Sequence, residues 1–258
     1  MNSRISTIAF NTFREAVRDR VLYNLIIFAL IMIGASLLMG QITIGVHRQL
    51  LINLGLTAIS VFGVLIAIFI GIGLVSKEID KCTLYTVLTR PVQRWEFILG
   101  KFYGLVGTLV VNAGFMTIGF FLALLYLMRG LGRGDLNILV AIYFILLQFM
   151  IVTAVALLFS SFSTPIESAV LTFAVFVVGS FSEDLRGFAQ MAKGVSHYFA
   201  VGMSYLIPNF SALNVISSVA HDVPVTGQLI LLNSAYAFTY AAAVLCAAAL
   251  IFQRRDMK

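Results

Sequence analysis

The sequence predicts an all-α polytopic membrane protein with six transmembrane helices, and three observations carry that prediction. Of the 258 residues, 60% are hydrophobic and only 11% charged, against roughly 45–50% and 25% in soluble domains. The apolar residues form runs long enough to cross a hydrocarbon core, which takes about 20 helical residues. All the charge between Leu50 and Met128 is gathered in one block, Ser76–Lys101.

The runs set the spans at 21–40, 50–76, 97–128, 136–159, 165–182 and 223–252, with Lys101 interrupting the third near its start. The length of 1–258 suits one such bundle as a single domain. An even number of spans puts both termini on one side of the membrane. With that side cytoplasmic, twelve of the seventeen Lys and Arg fall inside, and only Arg48, Arg129, Arg133, Arg186 and Lys193 fall outside. The positive-inside rule then sets the orientation. The net charge of +6 reads as this excess rather than as a nucleic-acid footprint.

Residues 1–20 do not read as a cleaved signal peptide, because the apolar run that follows is too long and no A-x-A site ends it. Ile5, Ile8, Ala9, Thr12, Phe13, Ala16 and Val17 share one helical stripe, with Arg4, Asn11, Arg14, Glu15 and Arg18 opposite. This pattern predicts an amphipathic helix in the inner headgroup layer. It is also the pattern of a helical extension of the first span.

The charged block of 77–96 carries Leu84, Val87 and Leu88 at helical spacing, with Tyr85 beside them. A two-turn amphipathic helix fits, ending before Pro91 because the residue preceding proline avoids helical dihedrals. A solvated loop resting its apolar residues on lipid fits as well. Arg94, Trp95 and Lys101 anchor the start of the third span at the interface. At the next inside turn, Thr164, Pro165 and Glu167 spell a capping-box start for the fifth span. Glu167 as an ion ligand is the competing reading, and capping explains the spacing without an ion.

Within the spans no Asp, Glu or His lies at depth, which argues against proton- or sodium-coupled carriage. The candidate substrate path is lined by soft polar groups: Asn112, Gln148, Asn233 and Tyr236, with Tyr126, Tyr143 and Tyr240 as further polar groups. Interhelical hydrogen bonding is the alternative use of each. Gly63, Gly71 and Gly73 on the second span, with Gly34, Ser36 and Gly40 on the first, permit close helix approach. Between spans five and six, 183–222 predicts short helices at or re-entering the outer leaflet. Pro208, Asn209 and Asn214 argue against a seventh span there. His197 and His221, with Met191 and Met203, lack metal-ligand spacing. Cys82 and Cys246 sit at different predicted depths, so no disulfide is expected.

The run KEIDKCTLYTVLTRPVQRWEFILGK resembles the first cytoplasmic loop of ABC-2 type transporter permeases. Glu78, Thr83, Leu84, Leu88, Pro91, Val92, Glu96, Gly100 and Lys101 carry the match. Cys82 stands where a glycine is common, so the turn that starts the loop helix differs. NTFREAVRDRVLY and FQRRDMK resemble the family's ends. The resemblance implies a pair of permeases, as homodimer or heterodimer, and two cytoplasmic ATP-binding subunits docked on the loop. It makes 77–96 a coupling loop, with Glu78, Thr83, Leu84, Tyr85, Val87, Leu88 and Pro91 as the ATPase-coupling residues. The chain has no G-x-x-x-x-G-K-[ST], so ATP and Mg are expected on the partner, with no cofactor, metal or catalytic residue here. The expected role is export or flipping of an amphipathic or apolar molecule across a bacterial or archaeal inner membrane. The alternative is mechanotransmission to a periplasmic partner, for example in metalloenzyme maturation. A channel or membrane scaffold outside the ABC class is a third reading.

Overall fold

A computed structural model describes residues 2–42, 47–80, 93–128, 136–184, 187 and 207–254. Every regular element among them is a helix. They are α1 (Asn2–Val17), α2 (Arg20–Ile42), α3 (His47–Asp80), α4 (Arg94–Met128), α5 (Leu136–Ser160) and α6 (Pro165–Ser180). A 3-10 turn (Ser211–Leu213), α7 (Ile216–Ala220) and α8 (Gly227–Arg254) follow.

Four of these helices, α3, α4, α5 and α8, contain stretches long and apolar enough to cross a membrane. α2 has 23 residues and α6 has 16. At 1.5 Å per residue α6 measures ~24 Å, short of a hydrocarbon core of about 30 Å. The protein is thus a multi-helix membrane bundle. α3 runs on to Asp80, so Lys77–Asp80, expected in the coupling loop, continue the second span as helix.

Burial ranks the helices. The apolar windows of α3 and α5 are 72% and 78% buried, whereas that of α8 is 28% buried. α5 is apolar on all sides, as a central helix must be. It packs against α3, α4, α6 and α8, and α2 packs along α3 and α4. Phe149 of α5 fills the space above Gly63 of α3, and Phe120 of α4 fills that above Gly55. Gly71 makes ordinary contact with Ala156, while Gly34 and Gly73 have no neighbour in reach among the described residues. Of the glycines singled out by sequence, Gly63 therefore has the clearest packing role.

The first and last helices both pack against α4. Phe97 near the start of α4 stacks on Phe252 near the end of α8, ring centroids 6.0 Å apart, and α1 lies along the same part of α4.

Candidate functional site: the start of α4 and the polar groups of the bundle

α4 begins inside the charged block, at Arg94, and three devices fix its first turns. The Gln93 backbone N–H donates to the Glu96 carboxylate at 3.1 Å, half of a capping box three residues apart. The Trp95 indole N–H donates to the Gln93 side-chain carbonyl. Lys101, 2% exposed, places its ammonium 5.6 Å from the centre of the Phe97 ring, within cation–π range. Glu96 is buried too.

The fourth contact is α1. Its predicted stripe is turned inward, with Thr12 and Ala16 buried, while Arg4, Asn11, Arg14, Glu15 and Arg18 are exposed. What covers the stripe is α4 as well as any lipid. Gly100 and Gly104 form a channel so tight that a Cβ on Gly100 would stand 2.6 Å from Ile8. A Cβ on Gly104 would stand 2.6 Å from the Ala9 carbonyl oxygen. At Gly104 the obstacle is backbone and cannot turn aside, and at Gly100 the Ile8 side chain would have to shift. The spacing of Gly100, Gly104 and Gly107 (one helix face,) was the signal in the sequence that could have revealed this groove.

Thr83, Leu84, Tyr85, Val87, Leu88 and Pro91 lie outside the described residues. Glu78 has helical backbone in the last turn of α3. The capping box at α6 is present: the Thr164 N–H donates to Glu167 at 3.1 Å, with Pro165 at the first helical position.

The four residues of the candidate path have separate surroundings. Asn233 donates from Nδ2 to the Ala212 carbonyl at 2.8 Å, and the Tyr236 hydroxyl accepts from the Asn209 N–H at 2.8 Å. Both thus hold the segment before α7. Gln148 accepts from Ser60 of α3 at 3.5 Å, a long bond. Asn112 is buried in the middle of α4, and its amide nitrogen has no hydrogen-bond partner among the described residues.

Asn209 is a residue that composition did not mark out as a hub. Its Oδ1 accepts from the Ala212 N–H at 3.0 Å and from the Ser182 hydroxyl. The neighbouring Phe210 N–H donates to the Gly179 carbonyl at 3.1 Å. The segment 207–213 thereby ties onto the far end of the short α6, adding a donor to a carbonyl of its last turn. Arg48 at the start of α3 closes the same region, with one guanidinium nitrogen 2.8 and 2.7 Å from the two oxygens of Asp222. His221 bonds the Ser217 carbonyl through Nδ1. Among the described residues no three of His, Cys, Asp and Glu gather as metal ligands. His197, Met191 and Met203 lie outside the described residues, as does Cys82, and Cys246 is a free, exposed thiol.

The family model described as ABC-2 family transporter protein matches residues 6–257. The chain belongs to the ABC-2 family of transporter proteins. This membership makes it a transmembrane transport subunit, and it implies association with an ATP-binding subunit. Among curated proteins, none matches the chain.

Proposed function

We propose that this ABC-2 chain is the permease of an ATP-driven transporter that exports or flips an amphipathic or apolar molecule across a bacterial or archaeal cytoplasmic membrane. Both termini and 77–96 would lie on the cytoplasmic side. Two copies of an ATP-binding subunit would carry ATP and Mg, and a second permease copy, in a homodimer, would complete the transporter. One observation carries the reading. The buried ionisable side chains among the described residues are Glu96 and Lys101, both in the first turns of α4, and none lies in mid-bundle. An ion-coupled carrier keeps such groups at depth. Energy must then enter elsewhere, and a capped, clamped helix start within the charged block is a suitable place to receive it.

The test is transport by the reconstituted complex. ATP-dependent transport that survives collapse of the proton and sodium gradients is expected. Strict gradient dependence with no response to ATP depletion would be fatal to the reading. Mechanotransmission to a periplasmic partner is supported by a separate observation: the segment 207–222 is bonded to α3, α6 and α8. Motion of the bundle would therefore reach the outer face. Capture of an extracytoplasmic protein in a detergent pull-down, with no ATP-dependent cargo movement, would favour that role.

A further inference from the structure

The segment 207–222 falls into two halves that are fastened in different ways. The first half, 208–213, is seated on α6 and α8 through polar groups. A Cβ on Gly179 of α6 would stand 2.5 Å from the Pro208 carbonyl oxygen, so the two backbones touch here. The Phe210 N–H donates to the Gly179 carbonyl at 3.1 Å, and the Phe210 ring lies 5.5 Å from that of Phe176, centre to centre. Asn209 accepts from the Ser182 hydroxyl and donates its N–H to the Tyr236 hydroxyl. Asn233 donates to the Ala212 carbonyl. Breaking any of these bonds away from water strands a polar partner.

The second half, α7 and the turn after it, moves as one unit and has a looser hold. The Asp222 N–H donates to the Val219 carbonyl at 3.1 Å, and the Val223 N–H to the Ser218 carbonyl at 2.9 Å. This is the Schellman pattern that ends a helix, and it takes a left-handed residue, usually glycine. Asp222 fills that place, at φ 57°, and its carboxylate meets Arg48, the second residue of α3. The pair is partly exposed, 23% at Arg48 and 57% at Asp222, so water competes for both partners. Ile216, Val219 and Ala220 are buried, and α7 packs on α3 and α5. In a bilayer such apolar contact is exchangeable, because lipid tails are as apolar as these side chains. Between the halves stand Asn214 and Val215, with φ, ψ of −87°, 87° and −98°, 10°, neither of them helical. Asn214 is exposed, and a short non-helical junction of this kind is where a hinge can turn.

We propose that α7 is a hinged lid on α3 and α5, turning at Asn214–Val215 and latched by the Arg48–Asp222 pair, while 208–213 stays fixed on α6 and α8. Opening uncovers α3 and α5, whose apolar windows are the most buried of the four long apolar helices. The device does not depend on the cargo, and its failure would leave the transport reading intact.

Single cysteines at Val219 and Leu213, each 1% exposed, report the two halves separately. They are placed in the full-length protein in a Cys82→Ser/Cys246→Ser background, and labelling by N-ethylmaleimide is followed in detergent. Arg48→Ala and Asp222→Asn should each speed labelling at Val219 roughly two- to fivefold, the factor that loss of a partly exposed ion pair allows. Leu213 should keep its slow rate in both. Salt screens an exposed pair, so high salt should speed labelling at Val219 when Arg48 is present and not in Arg48→Ala. A Val219 rate unchanged in both charge variants would overturn the proposal. Equal acceleration at Leu213 would also overturn it, since the whole segment would then come loose together, as would a salt response that persists without Arg48.

Discussion

Asn209 and Asn112 are both buried asparagines, yet their hydrogen bonding differs and so should their mutants. Asn209 joins Ser182, Ala212 and Tyr236, whereas the Asn112 amide nitrogen has no partner among the described residues. Removing one side of a satisfied buried pair strands the other side, at about 1–3 kcal/mol. Asn209→Ala should therefore lower the thermal midpoint of the detergent-solubilised protein clearly. Asn112→Leu, which removes an unsatisfied amide, should leave that midpoint unchanged or raise it. Any loss of transport in Asn112→Leu would then report contact with cargo rather than misfolding. The Arg48–Asp222 pair is partly exposed, and pairs of that kind contribute about 0–1 kcal/mol. Arg48→Ala should change the midpoint little.

At the scale of elements, the α1–α4 contact makes the sharpest prediction. Gly104→Leu puts a side chain where the Ala9 carbonyl already stands, and overpacking costs typically 1–3 kcal/mol. A cysteine placed at Thr12, 1% exposed in the docked helix, should react with a thiol reagent several-fold faster in the Gly104→Leu background. Gly73→Ala, at a glycine with no neighbour in reach among the described residues, should not change the rate. Unchanged reactivity in both would mean that α1 does not depend on the groove. For α6, Glu167→Ala removes the reciprocal cap and should cost about 1 kcal/mol of stability, without creating any ion dependence of transport. An ion requirement that disappears with Glu167 would restore the ligand reading.

At the scale of the whole molecule, the predictions concern coupling and orientation. Leu84→Asp/Leu88→Asp should weaken capture of the ATP-binding subunit while the protein still inserts, since a small interface rests on a few apolar anchors. Equal capture at equal expression would make 77–96 an ordinary loop. Cys82 should resist an impermeant thiol reagent outside intact cells, and a cysteine at Arg133 should react. Membrane class, helical content and the faces of α1 were legible in the sequence, because hydropathy and helical period are local and a bilayer punishes exceptions. The capping box at Thr164–Glu167 was legible for the same reason: its partners are three residues apart. Family membership was legible too, in the charged block and the chain ends. Tertiary structure alone decided what covers each face. Hydropathy does not distinguish a stripe lying on lipid from one docked in a glycine groove, since both surroundings are apolar. It also took the fold to show that Asn233 and Tyr236 hold the segment 207–213, because their partners lie 21 and 27 residues away and a polar side chain in a span does not announce which neighbour will satisfy it.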